Sequence, residues 1–573
     1  MVQSTNTPDK ELSNRTQRAS KPLKNETPDF TYIVKRLRNA IRPPLQLIPF
    51  PKGIVIDRNV EIPMRDGIIL RANVFRPQQQ GTFPVIMCAH LYSKDKFNQK
   101  GFFGPRPLAQ YRALNQPAPI AFSTWTSWEA PDPAYWVPQG YVLVNIDLRG
   151  FFASEGKGDV LSDQEAEDYY ECIEWAARQP WSNGKVGLNG VSYLAISQYK
   201  VAALNPPHLA AICPWEGFSD FYKDFAYPGG IREDGFTIIW GASVHSQTNV
   251  RKEQLKRPLR DEWYQSLTPD LSRITVPALI CGSFSDQSLH TQGSFRVFEE
   301  ISSQYKWLYT HRGGKWATYY SAEALAFQQK FFDYFLKGEE NGMLDVPPVR
   351  LEVRDTGNVI HAVKMEQNFL SPTTQWTPLY LNGQANQLAE RVPENVERNS
   401  FDLAKGKAVF EWMIPTDMEV VGPMALKLYI EVQDASDASI FAGIRKIRNG
   451  KQVVFEGSYG FGYDLVTKGW QRASLRKVNT ETRRPWSPQH DFAVEQLVQP
   501  HEIIELEFSL LPSATFFKQG DVLRLDIQGH WFFRRNPLLY GPAYYEKSAK
   551  GTCVIYSGGD FDSHLLLPLI REV

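Results

Sequence analysis

The stretch Val186-Gly-Leu-Asn-Gly-Val-Ser-Tyr-Leu-Ala195 reads as a strand that turns sharply through Gly190-Val191-Ser192 into a helix. A serine on such a turn is held out at the carboxyl edge of a sheet, where a base can reach its hydroxyl. The helix behind it aims its first N–H groups, that of Tyr193 among them, at an oxygen gaining negative charge. Acyl transfer through a serine nucleophile is the chemistry this arrangement serves. The fifth position of the turn is Leu194, where the G-x-S-x-G pattern has glycine. Gly-x-Ser also occurs in ordinary tight turns, so Ser192 needs partners before it means catalysis.

An acid and a base are therefore sought downstream. Pro277-Ala-Leu-Ile-Cys-Gly-Ser-Phe-Ser-Asp286 is a strand with a carboxylate at its end, the place from which an acid orients a catalytic histidine. The competing role for Asp286 is to cap a helix beginning near Ser288. The chain order serine, acid, histidine asks for a base after Asp286. His290 follows four residues later, on the helix that leaves the acid, and His311 ends the strand-like Lys306-Trp-Leu-Tyr-Thr-His311. His311 is the expected base, because a neutral imidazole at the end of its own strand can both accept and return the serine proton. His290 remains an alternative.

These residues need a sheet to position them. From Ile54 to about Lys337 strand-like runs (Ile68–Phe75, Pro84–Ala89, Tyr141–Ile146, Gly184–Leu188, Ala278–Cys281) alternate with helical patterns (Asp163–Arg178, from Ser192, Phe295–Ser302). This rhythm predicts an α/β domain with a parallel sheet covered on both faces. An aromatic, helix-compatible stretch at about 218–264 interrupts it, and is expected to form a cap over the carboxyl edge. After Pro347-Pro348 the runs alternate apolar and polar, as in Val349–Val353, Ala425–Ile430, Ile503–Phe508 and Val522–Ile527. That predicts an antiparallel β-sandwich, jelly-roll-like, over 345–573. The catalytic domain is expected over 30–340, and residues 1–29, polar and breaker-rich, as a disordered tail. Between tail and domain, Ile33, Leu37 and Ile41 recur every four residues beside Lys35, Arg36, Arg38 and Arg42. This predicts an amphipathic helix docked on the domain, with a membrane-surface or partner helix as the other reading.

Composition excludes several classes. The 573 residues carry 63 Lys+Arg and 63 Asp+Glu, so no net basic field exists to hold nucleic acid. No apolar run approaches the roughly 18 residues that span a bilayer, and the N-terminus has no signal-peptide core. Cys88, Cys172, Cys213, Cys281 and Cys553 are scattered, which fits buried thiols in a reducing, cytoplasmic setting. No metal-ligand spacing, phosphate loop or dinucleotide fingerprint occurs, so neither a metal nor a cofactor is expected.

The sequence around the serine also carries a resemblance. Tyr141–Gly156, with Asp147-Leu-Arg-Gly-Phe-Phe-Ala-Ser-Glu-Gly156, is followed by Asp168, Trp175, Trp181-Ser-Asn-Gly-Lys-Val-Gly187 and Gly190-Val-Ser-Tyr-Leu-Ala195. These closely resemble the X-prolyl dipeptidyl-peptidase/cocaine esterase (CocE/NonD) family of α/β-hydrolases, whose motifs D-x-R-G-x-x-x-S-E-G, W-S-N-G-x-V-G and G-x-S-Y-x-[GA] are all matched. The likeness takes in Met64-Arg-Asp-Gly67 and the β-rich C-terminus, hence most of 54–573. It implies an α/β-hydrolase domain with a helical cap and a galactose-binding-like C-terminal sandwich. It also implies Ser192 as nucleophile, Asp286 as acid and Tyr92 as a second oxyanion donor beside the Tyr193 N–H. Leu91 precedes Tyr92 where the family has proline. The family's G-P-W-x-H stretch reads His311-Arg-Gly-Gly-Lys-Trp316 here, and an ungapped alignment sets Lys315 at the histidine position, which makes Lys315 a further candidate base.

The function this implies is a serine hydrolase that cleaves an ester or amide bond of a small acyl substrate through an acyl-enzyme. Esterases, α-amino-acid ester hydrolases and proline-directed dipeptidases are the options. An esterase is preferred to an X-prolyl dipeptidyl-peptidase-type aminopeptidase, because no acids dedicated to a free amino terminus stand out in the sequence. A binding or scaffold protein on the same fold, its turnover lost with the histidine stretch, is the rival from another class, and an acyltransferase using the same serine is a third. The sandwich either closes the pocket or builds a homodimer.

Overall fold

The computed structural model describes residues 14–16, 27–101, 104–106, 108–548 and 550–570. Of the tail expected over 1–29, Asn14–Thr16 runs parallel to the strand Glu397–Asp402. Thr27 to Asp29 lead into α1 (Phe30–Ile41), and the other tail residues lie outside the described residues. Asp29 caps α1 by accepting the Tyr32 N–H at 2.8 Å.

The first domain is built on eight strands. These are β1 (Ile54–Pro63), β2 (Ile69–Pro77), β3 (Phe83–His90), β4 (Val142–Asp147), β5 (Ser182–Val191), β6 (Leu209–Trp215), β7 (Ala278–Ser283) and β8 (Lys306–His311). They lie in the order β1-β2-β4-β3-β5-β6-β7-β8, with β2 antiparallel to both neighbours and the rest parallel. The β1–β2 hairpin turns at Met64-Arg-Asp-Gly67, where Gly67 takes a φ of +83°. All residues of β4 and β7 are buried. This explains why the sequence shows them as mostly apolar runs without a polar alternation: both sheet faces are covered by crossover helices. Those helices include α2 (Asp163–Ala177), α3 (Tyr193–Ala202), α4 (Thr291–Glu300) and α5 (Ala322–Phe332). The sequence placed α4 four residues late, because its first turn is polar and gives no apolar period.

Between β6 and β7 the chain forms a π-helical turn at Phe221–Ala226 and short helices at Phe236–Ser243, Val250–Lys256 and Glu262–Ser266. Asp224 on the first of these pairs with Arg296 of α4 at 2.8 Å and so ties the insertion to the sheet.

The sheet does not end at β8. β9 (Val349–Thr356) pairs in parallel with it, Leu308 opposite Val349, and antiparallel with Val359–Glu366. Beyond it the strands are antiparallel: Met418–Gln433 lies between Ile503–Phe517 on one side and Thr552–Ser557 and His564–Ile570 on the other. Ser439–Arg448 lies between Thr467–Arg472 and Val522–Gln528, with Lys407–Met413 beyond. Alternate residues such as Ala408, Phe410 and Trp412 face a second apolar core with Leu523, Leu525 and Ile527. Among the described residues no helix is long and apolar enough to cross a membrane.

Candidate active site

At the end of β5 the chain reverses so tightly that a Cβ on Gly190 would lie 2.5 Å from the Cβ of Leu194. Glycine is required at this position, and the bulk that the usual pattern avoids at the fifth residue is tolerated only because Gly190 has no side chain. Ser192 itself sits at φ +57°, ψ −118°, a conformation costing about 1–3 kcal/mol that concentrates at functional turns. Its backbone is held from both sides: Ser192 N–H donates to Trp215 O at the end of β6 at 3.0 Å, and Val191 N–H to Glu129 O in a loop ahead of β4 at 3.1 Å. Tyr193 is the first residue of α3, so its N–H has no partner in the helix ladder. Its phenol donates to Glu165 at 2.7 Å and accepts from the Leu161 N–H at 3.1 Å, which fixes the start of the helix.

The acid and an imidazole come from one turn. After β7 the carbonyl of Asp286 accepts the N–H groups of Leu289, His290 and Thr291 at 3.1–3.2 Å, and this brings the side chains of residues 286 and 290 together. His290 Nδ1 lies 2.5 Å from Asp286 Oδ2, and His290 Nε2 lies 3.3 Å from Ser192 Oγ. The hydrogen-bond pattern assigns the proton to Nδ1, leaving Nε2 free to accept from the serine. Phe218 from the insertion stacks on the ring at 6.1 Å.

The structure departs here from the sequence expectation. His311, at the end of β8, is turned away from the serine. Its Nε2 is 3.1 Å from Glu216 Oε1, and its Nδ1 accepts the Gly313 N–H at 3.2 Å. The physical reason is the path after β8: the ring stacks against Trp215 at 6.1 Å and is claimed on both nitrogens. Lys315 is not beside the serine either. Its Nζ donates to Asp286 Oδ2 at 2.6 Å, lies 2.9 Å from His290 Nδ1 and 3.7 Å from Glu216 Oε2, and sits over the Tyr459 ring at 4.4 Å.

Charge in this cluster is tightly balanced. Burial opposes the Lys315 ammonium, but Asp286 and Glu216 overcome it and raise its pKa. Burial likewise opposes the Asp286 carboxylate, and Lys315 and His290 hold it well below the usual range. His290 is pushed down, first by burial and then by Lys315, with Asp286 opposing.

Tyr92, after β3, accepts from Trp240 Nε1 of the insertion at 3.1 Å, and burial raises its pKa. Two further residues escaped the sequence reading. Tyr459 comes from the C-terminal domain, in a turn at φ +54°, and its buried ring meets the His290 ring edge-on at 6.5 Å and packs on Trp316 at 5.5 Å. Nothing local marks it. Glu129 is buried at φ +65°, and its Oε2 has no hydrogen-bond partner. Burial pushes its pKa up to about 8, against the pull of Lys315. The only local mark is the pair Trp125 and Trp128 just ahead of it. Glu216, Cys281 and His311 bring three ligand-type atoms within 4.8 Å, but Lys315 already supplies the countercharge to Glu216, and burial keeps the Cys281 thiol protonated. All five cysteines are buried and unpaired.

Two family models match the chain: the X-Pro dipeptidyl-peptidase (S15 family) over residues 66–263, and the X-Pro dipeptidyl-peptidase C-terminal non-catalytic domain over residues 341–566. A cocaine esterase from Rhodococcus sp. (strain MB1 Bresler) is 28% identical over 389 residues, 57% of this chain. That match spans 62% of the esterase, less than two thirds of its length. The crystal structure of a CocE/NonD family hydrolase from Staphylococcus aureus is 38% identical, with a TM-score of 0.85 over 90% of this chain and 94% of that one. An aminopeptidase from the marine sediment archaeon Thaumarchaeota archaeon, at 17% identity and a TM-score of 0.68 over 91% of this chain and 99% of its own, shares the fold. With both halves of the sequence matched and the fold shared across nearly the full length of a relative, the chain belongs to the X-Pro dipeptidyl-peptidase/cocaine esterase (CocE/NonD) family of hydrolases.

Proposed function

We propose that the chain is a serine hydrolase that cleaves an ester or amide bond of a small substrate through an acyl-enzyme. The observation that carries this reading is the relay Ser192 Oγ, His290 Nε2, His290 Nδ1, Asp286 Oδ2, with separations of 3.3 and 2.5 Å. Ser192 attacks the carbonyl as His290 takes its proton. Asp286 holds the imidazole in the right tautomer and stabilises the imidazolium. The Tyr193 N–H and the Tyr92 hydroxyl receive the oxyanion. His290 then returns the proton to the leaving group, and water repeats the cycle on the acyl-enzyme. Lys315 acts through Asp286, not on the substrate. In this reading the helices within 218–264 cap the site, and a jelly-roll domain over 345–573 closes it by presenting Tyr459. The five unpaired thiols suit a reducing, cytoplasmic compartment. A fluorophosphonate probe is expected to label the wild type and to leave Ser192→Ala unlabelled. Equal labelling of both proteins rejects the nucleophile.

Glu129 favours a second, narrower reading, in which the substrate carries a free amine near the scissile bond. A buried carboxylate without a partner is ionised by an incoming ammonium and pairs with it in a desolvated site. Glu129→Gln is expected to lower kcat/KM for an amino-acid ester by about tenfold or more, the worth of one charge-assisted hydrogen bond, while the N-acetylated ester is unaffected. Equal losses on both substrates return Glu129 to a structural role and leave a plain esterase.

A further inference from the structure

α1 is docked the wrong way round for an ordinary surface helix. The side chains it buries are polar, Arg36 and Asn39, with Tyr32, Ile33 and Ala40 half-buried beside them. Arg36 donates to the carbonyls of Leu538, Arg112 and Ala113 and lies over the Phe461 ring at 5.0 Å. Asn39 donates to Gln116 O at 2.9 Å and to Asn115 Oδ1 at 3.1 Å. The apolar side faces outward. Phe30 is 79% exposed, Val34 46%, Leu37 45% and Ile41 78%, and their spacing sets them in one stripe along the helix. Four large apolar side chains in register on one exposed face are not the scattered single residues that every surface carries.

Charge says what covers the stripe. Lys35, Arg38 and Arg42 flank it on one side, and all three are exposed. None has an ion-pair partner among the described residues, though Lys35 acts on the half-buried Glu456 at longer range. Together with Asn39 and Pro43 the three cations line an open groove beside the helix. A second copy of the chain on this stripe would set one cationic flank against another, an unfavourable isologous contact. A nucleic acid would use the cations and leave the stripe bare. An anionic bilayer uses both.

We propose that α1 is a membrane-docking element, with Phe30, Val34, Leu37 and Ile41 entering the interface of an anionic bilayer and Lys35, Arg38 and Arg42 engaging lipid phosphates. The polar face has its own task. It joins the helix rigidly to both domains, and through Asn39, Asn115 and the carbonyl of Gly460 it reaches the turn that bears Tyr459. The docked surface is thus linked by side chains to the residue that follows Tyr459, beside the candidate active site.

Flotation of the full chain with phosphatidylcholine vesicles, with and without phosphatidylglycerol, tests this. The wild type is expected to float only with the mixed vesicles and to be released by high salt. Leu37→Glu combined with Ile41→Glu is expected to abolish flotation, and Lys35→Gln, Arg38→Gln and Arg42→Gln together to weaken it by about a hundredfold. Thermal unfolding of both variants should match the wild type, because all five side chains point away from the fold. The proposal is overturned if the wild type stays with the buffer, if the variants float as well as it does, or if the wild type is a dimer that the Leu37→Glu, Ile41→Glu variant splits.

Discussion

His290→Ala is expected to lower kcat/KM for ester hydrolysis by about 10⁴-fold, and His311→Ala to keep it within about tenfold of wild type. Both histidines are buried, His290 in the turn between β7 and α4 and His311 at the end of the adjacent β8, so burial alone does not rank them. Direction does. His290 points its unprotonated nitrogen at Ser192 Oγ, 3.3 Å away, while His311 spends both nitrogens on Glu216 and the Gly313 N–H. In the His290 variant no other base takes over: Lys315 is protonated and bound to Asp286, with Glu216 beyond. Removing His311 leaves the Glu216 carboxylate one partner short, at a stability cost of about 1–3 kcal/mol. Steady-state kinetics with denaturant unfolding separate the two effects. A His311→Ala enzyme as inactive as His290→Ala, at unchanged stability, would falsify the assignment.

Sequence reading reached different depths at different residues, and locality explains the difference. The turn at Ser192 is set by residues within one strand and one helix, and Gly190, Ser192 and the following apolar helix display it directly. The parallel strands were legible as apolar runs because both their faces are buried. Asp286 was legible as the residue that ends such a strand. Choosing among His290, His311 and Lys315 was not possible in the same way. All three follow the acid, and only the tight turn over 286–290 decides which ring returns to the serine. Tyr459 and Glu129 lie still further from any local signal, since one belongs to the other domain and the other to a loop ahead of β4. In α1 the period showed that two faces exist, but backbone carbonyls from distant segments chose the polar one for docking. Side-chain period encodes amphipathicity. The identity of the buried face is a tertiary fact.

Where the family pattern has a histidine, this chain has Lys315, and its ammonium shares Asp286 Oδ2 with His290. A fixed positive charge 2.9 Å from Nδ1 disfavours a second charge on the ring, and burial acts in the same direction. The ring therefore stays neutral, and able to accept the serine proton, below the usual histidine range. The rate rises with pH as the imidazolium loses its proton, so the acid limb of kcat/KM should lie below the ordinary value of about 6.5. Lys315→Met removes the repelling charge and leaves Asp286 and Glu216 without a cation. His290 then gains protons more readily, and the acid limb moves to higher pH. Stability should fall as well, by about 3–5 kcal/mol, because one partner of a buried ion pair is gone. The two readouts divide the explanations. A drop in stability with an unmoved acid limb makes Lys315 a structural counterion only. An acid limb that moves up while Lys315→Arg restores it shows that the positive charge at this position is what keeps the base poised.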